Sequence, residues 1–446
     1  MHWSTLLSRR RLGTSEVPEI STARTDFQRD FDRIVFSSSF RRLQDKTQVF
    51  PLARNDYVRT RLTHSLEVSS VGRSLGTLVG QVILDRHALK GYAPSDLGDL
   101  CAAACLAHDL GNPPFGHSGE DAIQHWAGNT ASGKDRIQGF PQAQREDFLR
   151  FEGNAQGFRL LSRLQHRDNP GGLQLTCATL GAFSKYPQGS EVPAGAGWKK
   201  FGFFSADRAN FIQVAETLGL ERRSGTAPSW CRHPLAFLVE AADDLCYRII
   251  DIEDGFRLGK LSEAAARELF LPLVPEQARK AWNRFGNPLD QISFLRAKAI
   301  HQGILQVRDC FLAEEENLLT GRLSDSLIER VPLSEPLAQL IEVAQEKIYC
   351  APEVVEIETA GFEVLSTLLD RLVPVLDELA EMGADSSPRS RMTALLIPEQ
   401  FIGPGRKPLA DPYLRLLSLT DFLSGMTDSY AVALYKKITG ISLPSG

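Results

Sequence analysis

His108 and Asp109 close an apolar, Ala- and Cys-rich run, and Gly111-Asn112-Pro113-Pro114 follows at once. Proline has no amide proton to give a helix and disfavours helical geometry in the residue before it. A helix carrying Leu97, Cys101, Ala104 and His108 on one face therefore has to stop here. His117 and Glu120 stand just past the break, three residues apart. They share a face if a helix restarts after Phe115. A turn needs no such density of ionisable groups, so the pattern predicts that something is held between the two helix ends.

The rest of the chain reads mostly as helix. His64, Val68, Val71, Leu75, Val79 and Val82 fall on one face between Arg61 and Ile83. Pro234 suits a first helical turn, and the apolar stripe from Leu235 to Ile250 follows the i, i+3, i+4, i+7 pattern. Leu337–Met382 predicts two or three further helices and Leu414–Ile438 one or two. Ala127–Arg145 is polar and Gly-rich, which predicts an exposed loop. Lys185–Ala206 mixes Gly, Pro, Lys and aromatic residues, which predicts a loop insertion or a small β-hairpin. No linker divides the chain. The expected fold is all-α, one large helical body over residues 1–446.

Composition excludes several classes. Of the 446 residues 43% are hydrophobic, enough for a sizeable core, and the formal net charge of -5 gives no global pull towards nucleic acid or anionic membrane. Any phosphate site must be a local basic pocket. The seven cysteines include no CxxC pair, which argues against disulfides and a thiolate zinc site and predicts a reducing, cytoplasmic setting. No apolar run is long enough to span a bilayer. In "MHWSTLLSRRRLG" the basic residues follow the apolar patch, the reverse of a secretory signal.

A divalent cation needs imidazoles and carboxylates converging from separate elements. His108 and Asp109 end one helix, and His64 lies on the inner face of an earlier one. Asp243 in "ADD" (242–244) sits at the edge of a strongly apolar stripe, where an unpaired carboxylate is costly. Tyr247 and Asp251 follow it on the same face. Each signal alone is weak: a lone His on an apolar face is usually a satisfied core histidine. The combination H…HD…D, each at the inner edge of a helix, is much more specific.

These residues carry a family resemblance. The pattern resembles the HD-domain phosphohydrolases, and within them the deoxyguanosine triphosphatase-like triphosphohydrolases. The stretches "RRLQDKTQVFPL" (41–52), "RTRLTHSLEVS" (59–69), "HDLGNPPFGHSGE" (108–120), "FEGNAQGFRLL" (151–161), "KYP" (185–187), "KKFGFF" (199–204), "EAADDLCYRIIDIEDG" (240–255) and "LTDFLSGMTDSYA" (419–431) match in order. The resemblance implies an HD core over residues 59–255 and a C-terminal helical extension over 256–446. It implies one divalent metal, Mn²⁺, Mg²⁺, Fe²⁺, Co²⁺, Ni²⁺ or Zn²⁺, held by His64, His108, Asp109 and Asp243. It implies that His117, oriented by Glu120, is the catalytic acid–base. The implied reaction is hydrolysis of a deoxynucleoside triphosphate, dGTP among the substrates, to deoxynucleoside and inorganic triphosphate.

By the same resemblance Gln44 reads the sugar 3′-hydroxyl, and Arg61, Lys185, Tyr186 and Lys200 contact phosphate or sugar. Tyr247 and Asp251 stand at the deoxyribose end, and "SGMTDSYA" is a packing element rather than a catalytic one. A homo-oligomer, hexamers included, and single-stranded DNA binding are also implied. Two other readings stand beside this one: an HD-type nucleotidase or DNA-end nuclease, and a catalytically quiet nucleotide sensor or single-stranded DNA binder. The long KYP…KKFGFF loop favours a triphosphate, and an intact His117–Glu120 pair favours an enzyme.

Overall fold

The computed structural model describes residues 1–14, 24–49, 59–193, 197–223 and 227–441. Among these the chain is helical, with twenty-two α-helical segments and only isolated β-bridges. Eight helices position the site: α1 (Arg61–Arg86), α2 (Pro94–Ala107), α3 (His117–Asn129), α4 (Gly153–Arg159), α5 (Pro234–Arg257), α6 (Pro352–Met382), α7 (Pro412–Ser424) and α8 (Asp428–Thr439).

Local chemistry sets their ends. Thr60 caps α1 by accepting from the Thr63 amide, while the Thr63 hydroxyl accepts from the Thr60 amide. Pro94 and Pro234 open α2 and α5, where a missing N–H costs nothing. α2 ends on His108, and α3 restarts at His117, as the Pro-Pro break and the spacing predict.

α1 and α2 pack closely because small residues line the contact. A Cβ on Gly72 would lie 2.3 Å from Cys105 Sγ, and one on Gly76 would lie 2.4 Å from the Leu97 carbonyl oxygen. Two backbones can approach this closely only where no side chain intervenes. α5 crosses the pair and buries its stripe from Leu235 to Ile250 against them.

The interior holds two apolar clusters. One gathers α1, α2, α5 and helices before and after them. The other joins Phe115, Ile123, Trp126 and Phe148 to α6, α7 and α8. Both clusters draw on residues before and after position 255. Between them Arg159 is buried and binds two fully buried carboxylates, Asp207 and Asp421, while Gln156 also donates to Asp421.

Two local expectations change. Ala127–Arg145 is not a loop: it holds the end of α3, a helix over Ala131–Ile137 and the start of one over Gln142–Leu149. Thr130 caps the first of these short helices, and Ile137 and Phe148 anchor the two in the second cluster. Tertiary anchoring, which composition does not show, makes such short helices stable. Lys185–Ala206 is a loop insertion without a hairpin among its described residues. Its bridges pair Gly189 with Phe203 and Gln188 with Ser229. The buried Gln188 amide holds the loop by donating to Trp198 and Lys200 carbonyls and accepting from the Trp198 amide.

Arg159→Leu removes the only cation paired with the buried Asp421 among the described residues and leaves Asp207 with Arg163 alone. It should destabilise the protein by about 3–5 kcal/mol in chemical denaturation, with partial recovery in Arg159→Lys.

Candidate active site

The ends of α1, α2 and α3 and the middle of α5 open onto one cavity of about 580 Å³. Its wall includes Arg61, His64, His108, Asp109, Asn112, His117, Glu120, Lys185, Tyr186, Lys200, Asp243 and Tyr247. Eleven of the thirteen residues singled out from sequence therefore come together. Gln44 and Asp251 do not line it.

His64, His108 and Asp243 form a candidate metal centre, with one donor atom from each lying within 4.8 Å of the others. His64 Nε2 is 3.0 Å from Asp243 Oδ1, and His108 Nε2 is 3.6 Å from the same oxygen. His108 Nδ1–H donates to the Cys105 carbonyl at 2.7 Å. That bond fixes the tautomer and leaves the Nε2 lone pair towards the cavity, as a metal ligand requires. Burial pushes the Asp243 carboxyl up, but the two histidines outweigh it and hold it down at about 2. The donor set is two imidazoles and a carboxylate ionised at neutral pH, which fits a divalent ion.

Asp109 is adjacent but otherwise engaged. Its Oδ2 is 3.5 Å from His108 Nε2 and accepts from Arg61 at 2.7 Å, while Oδ1 accepts from Asn112 at 2.6 Å. Burial raises its carboxyl, yet Arg61 and the histidines hold it well below the usual range.

His117 faces the cavity from the first turn of α3, its side chain 80% exposed. Its Nδ1–H donates to Glu120 Oε2 at 2.8 Å. Glu120 is buried, and its other oxygen accepts from the Gly153 amide at 2.6 Å. The bond to Glu120 is the main reason His117 titrates above its ordinary value. Burial raises Glu120, but His117 and Lys200 more than offset it.

The cationic side chains are already paired with acids. Lys200 Nζ is 3.0 Å from Glu152 and 3.8 Å from Glu120. Lys185 is 3.3 Å from Glu240, which Arg232 also binds at 2.8 Å. An incoming anion must exchange with these carboxylates. Burial, together with the neighbouring Glu120, raises the Glu152 carboxyl above its ordinary range.

The remaining wall mixes polar residues, among them Asn154, Asp244 and Glu358, with an aromatic face. Tyr247 stacks on Tyr349, their ring centroids 6.1 Å apart and planes 12° from parallel. The Tyr349 hydroxyl donates to Asp251, so Asp251 supports the wall from behind instead of reaching the cavity. Gln44 is exposed because the 3₁₀ turn over Leu43–Asp45 directs it outward and Lys46 inward. Gln48 lines the cavity in its place, and its Oε1 is buried with no hydrogen-bond partner among the described residues. Tyr349, Gln48 and Glu152 are the functional candidates that sequence reasoning missed. Tyr349 carries no sequence signal, whereas Gln48 and Glu152 lie inside stretches already singled out.

Residues 61–157 match the HD domain family model. A deoxyguanosinetriphosphate triphosphohydrolase-like protein of Synechocystis sp. is 46% identical, the match covering 99% of this chain and 100% of that protein. One from Pseudomonas aeruginosa is 40% identical over the whole of both chains. A deoxyguanosinetriphosphate triphosphohydrolase of Klebsiella pneumoniae is 30% identical, over 93% of this chain and 94% of that enzyme.

Glu120→Gln removes the charge that stabilises the imidazolium. The His117 pKa, raised in the wild-type protein, should fall in the variant. The limb of the pH–activity profile that His117 controls should move to lower pH. Histidine NMR titration measures the first and steady-state rates the second.

Proposed function

The chain belongs to the deoxyguanosinetriphosphate triphosphohydrolase-like family of HD-domain proteins, and on that premise we propose that it hydrolyses deoxynucleoside triphosphates to deoxynucleoside and inorganic triphosphate. One observation carries the reading. The His64–His108–Asp243 set, the His117–Glu120 pair and the cations Arg61, Lys185 and Lys200 all face a single cavity of about 580 Å³. That volume suits a nucleotide-sized ligand.

His64, His108 and Asp243 would hold one divalent ion, with Asp109 near enough to join them. Such an ion supplies Lewis acidity towards a phosphate oxygen. Arg61, Lys185 and Lys200 take up the triphosphate charge, exchanging their acidic partners for phosphate oxygens. His117 moves the proton at its Nε2, either from the attacking water or to the leaving 5′-oxygen. Glu120 holds Nδ1–H and stabilises the imidazolium form in either role.

The Tyr247–Tyr349 wall sets the sugar preference. Two stacked rings, braced by Asp251, close that side of the cavity and crowd a 2′-hydroxyl. Gln48, not Gln44, lines the cavity with a carbonyl oxygen that is unpaired among the described residues and suited to accept a sugar hydroxyl. A ring packed under C2′ leaves no room for a 2′-hydroxyl, which favours the deoxy substrate.

Incubation with each dNTP and NTP, with Mn²⁺ or Mg²⁺, followed by anion-exchange separation tests the reading. Deoxynucleoside and intact triphosphate are expected, with the rate falling about 10²-fold or more in His117→Ala. Di- or monophosphate products would mean that a phosphoanhydride bond breaks instead of the bond to the 5′-oxygen; they would contradict the reading and point to a different HD hydrolase. Tyr247→Ala should open the wall and narrow the dNTP-over-NTP preference in kcat/KM by about tenfold or more.

A further inference from the structure

The loop that delivers His117 is strained. Phe115 has φ +63° and Gly116 has φ +59°. A left-handed conformation is unfavourable for a bulky residue such as phenylalanine and persists only where its surroundings impose it. Gly116 meets a second constraint, since a Cβ there would lie 2.7 Å from the Arg61 guanidinium. The two residues turn the chain from the Pro-Pro break into α3, so their geometry sets where His117 points.

What imposes it comes from the far end of the chain. Asp428, at the start of α8, is buried. Its Oδ1 accepts from the Phe115 amide at 3.0 Å, and its Oδ2 accepts from the Thr47 amide at 3.0 Å and the Thr47 hydroxyl at 2.5 Å. One carboxylate thus ties the catalytic loop to the segment that carries Gln48. Lys46 adds a second strut, donating to the Asn112 and Ser424 carbonyls. On the other side α6 presses on the Phe115 ring where Gly361 leaves room. A Cβ at Gly361 would lie 2.4 Å from Phe115 Cγ.

We propose that Asp428 is a positioning residue, which clamps the strained Phe115–Gly116 turn and the Thr47–Gln48 wall into one unit and so aims His117 at the reacting phosphate. The assignment rests on the triphosphohydrolase reading for its catalytic consequence. The two sides of the carboxylate need an acceptor each. Asparagine offers one acceptor and one donor, so Asp428→Asn satisfies either Phe115 or Thr47 but not both. A misaimed catalytic group lowers the rate of the chemical step more than it weakens binding.

The test combines kinetics with hydrogen exchange. Asp428→Asn should lower kcat about tenfold or more, with a smaller rise in KM because the Gln48 segment shares the clamp. Amide exchange over residues 113–120 should accelerate, with exchange in α5 unchanged. Gly361→Ala should also lower kcat, but should cost little further in a Phe115→Gly background, where both the strain and the ring are gone. Wild-type kcat in Asp428→Asn, or unchanged exchange over the loop in both variants, would overturn the proposal. Equal losses from Gly361→Ala in both backgrounds would mean general destabilisation and would also overturn it. If the wild-type protein releases no triphosphate from any dNTP, the functional reading fails on its own, and the exchange measurement still decides whether Asp428 clamps the loop.

Discussion

The close approach of α1 and α2 underlies the rest of the structure. Gly72 and Gly76 bring two helix backbones together where any side chain would collide with Cys105 or the Leu97 carbonyl. Density of this kind is stiff, because a packed interior has little free volume to absorb a shift. It places His64, near the start of α1, beside His108, at the end of α2, with ring centroids 5.3 Å apart and planes 67° from parallel. α5 then needs only to supply a carboxylate. The candidate metal centre is thus specified by helix packing, while His117 follows a turn that Asp428 and α6 contact from outside.

Charge is arranged by the same logic. Every cation around the cavity named as a phosphate contact has an acid beside it: Arg61 with Asp109, Lys185 with Glu240, Lys200 with Glu152 and Glu120. Three buried or half-buried cations without partners would carry a heavy desolvation cost. Pairing offsets that cost in the free protein and leaves the cations able to exchange partners. A chain with net charge -5 can in this way carry an anion site without a basic surface.

The sequence shows best what depends on local pattern. The helix stop at His108, the restart at His117 and the histidine–carboxylate pair of α3 all follow from proline geometry and a three-residue spacing. The α5 stripe identifies Asp243 because an acid on an apolar face needs a partner. What escapes is set over long range. Tyr349 meets Asp251 across 98 positions, and Asp428 meets Phe115 across 313, and no local pattern encodes either contact. Gln44 and Gln48 lie four residues apart in one polar stretch, and only the 3₁₀ turn over Leu43–Asp45 decides which faces the cavity. The short helices after α3 escape for a related reason: their polar sequence hides the two anchors, Ile137 and Phe148, that hold them.

The account turns on a single metal centre facing His117. Anomalous diffraction from crystals grown with Mn²⁺ measures this most directly. A single peak is predicted at bonding distance from His64 Nε2, His108 Nε2 and the Asp243 carboxylate, on the cavity side that His117 faces. A peak held by other residues, such as Glu240 and Asp244, or no peak at saturating Mn²⁺, would contradict it.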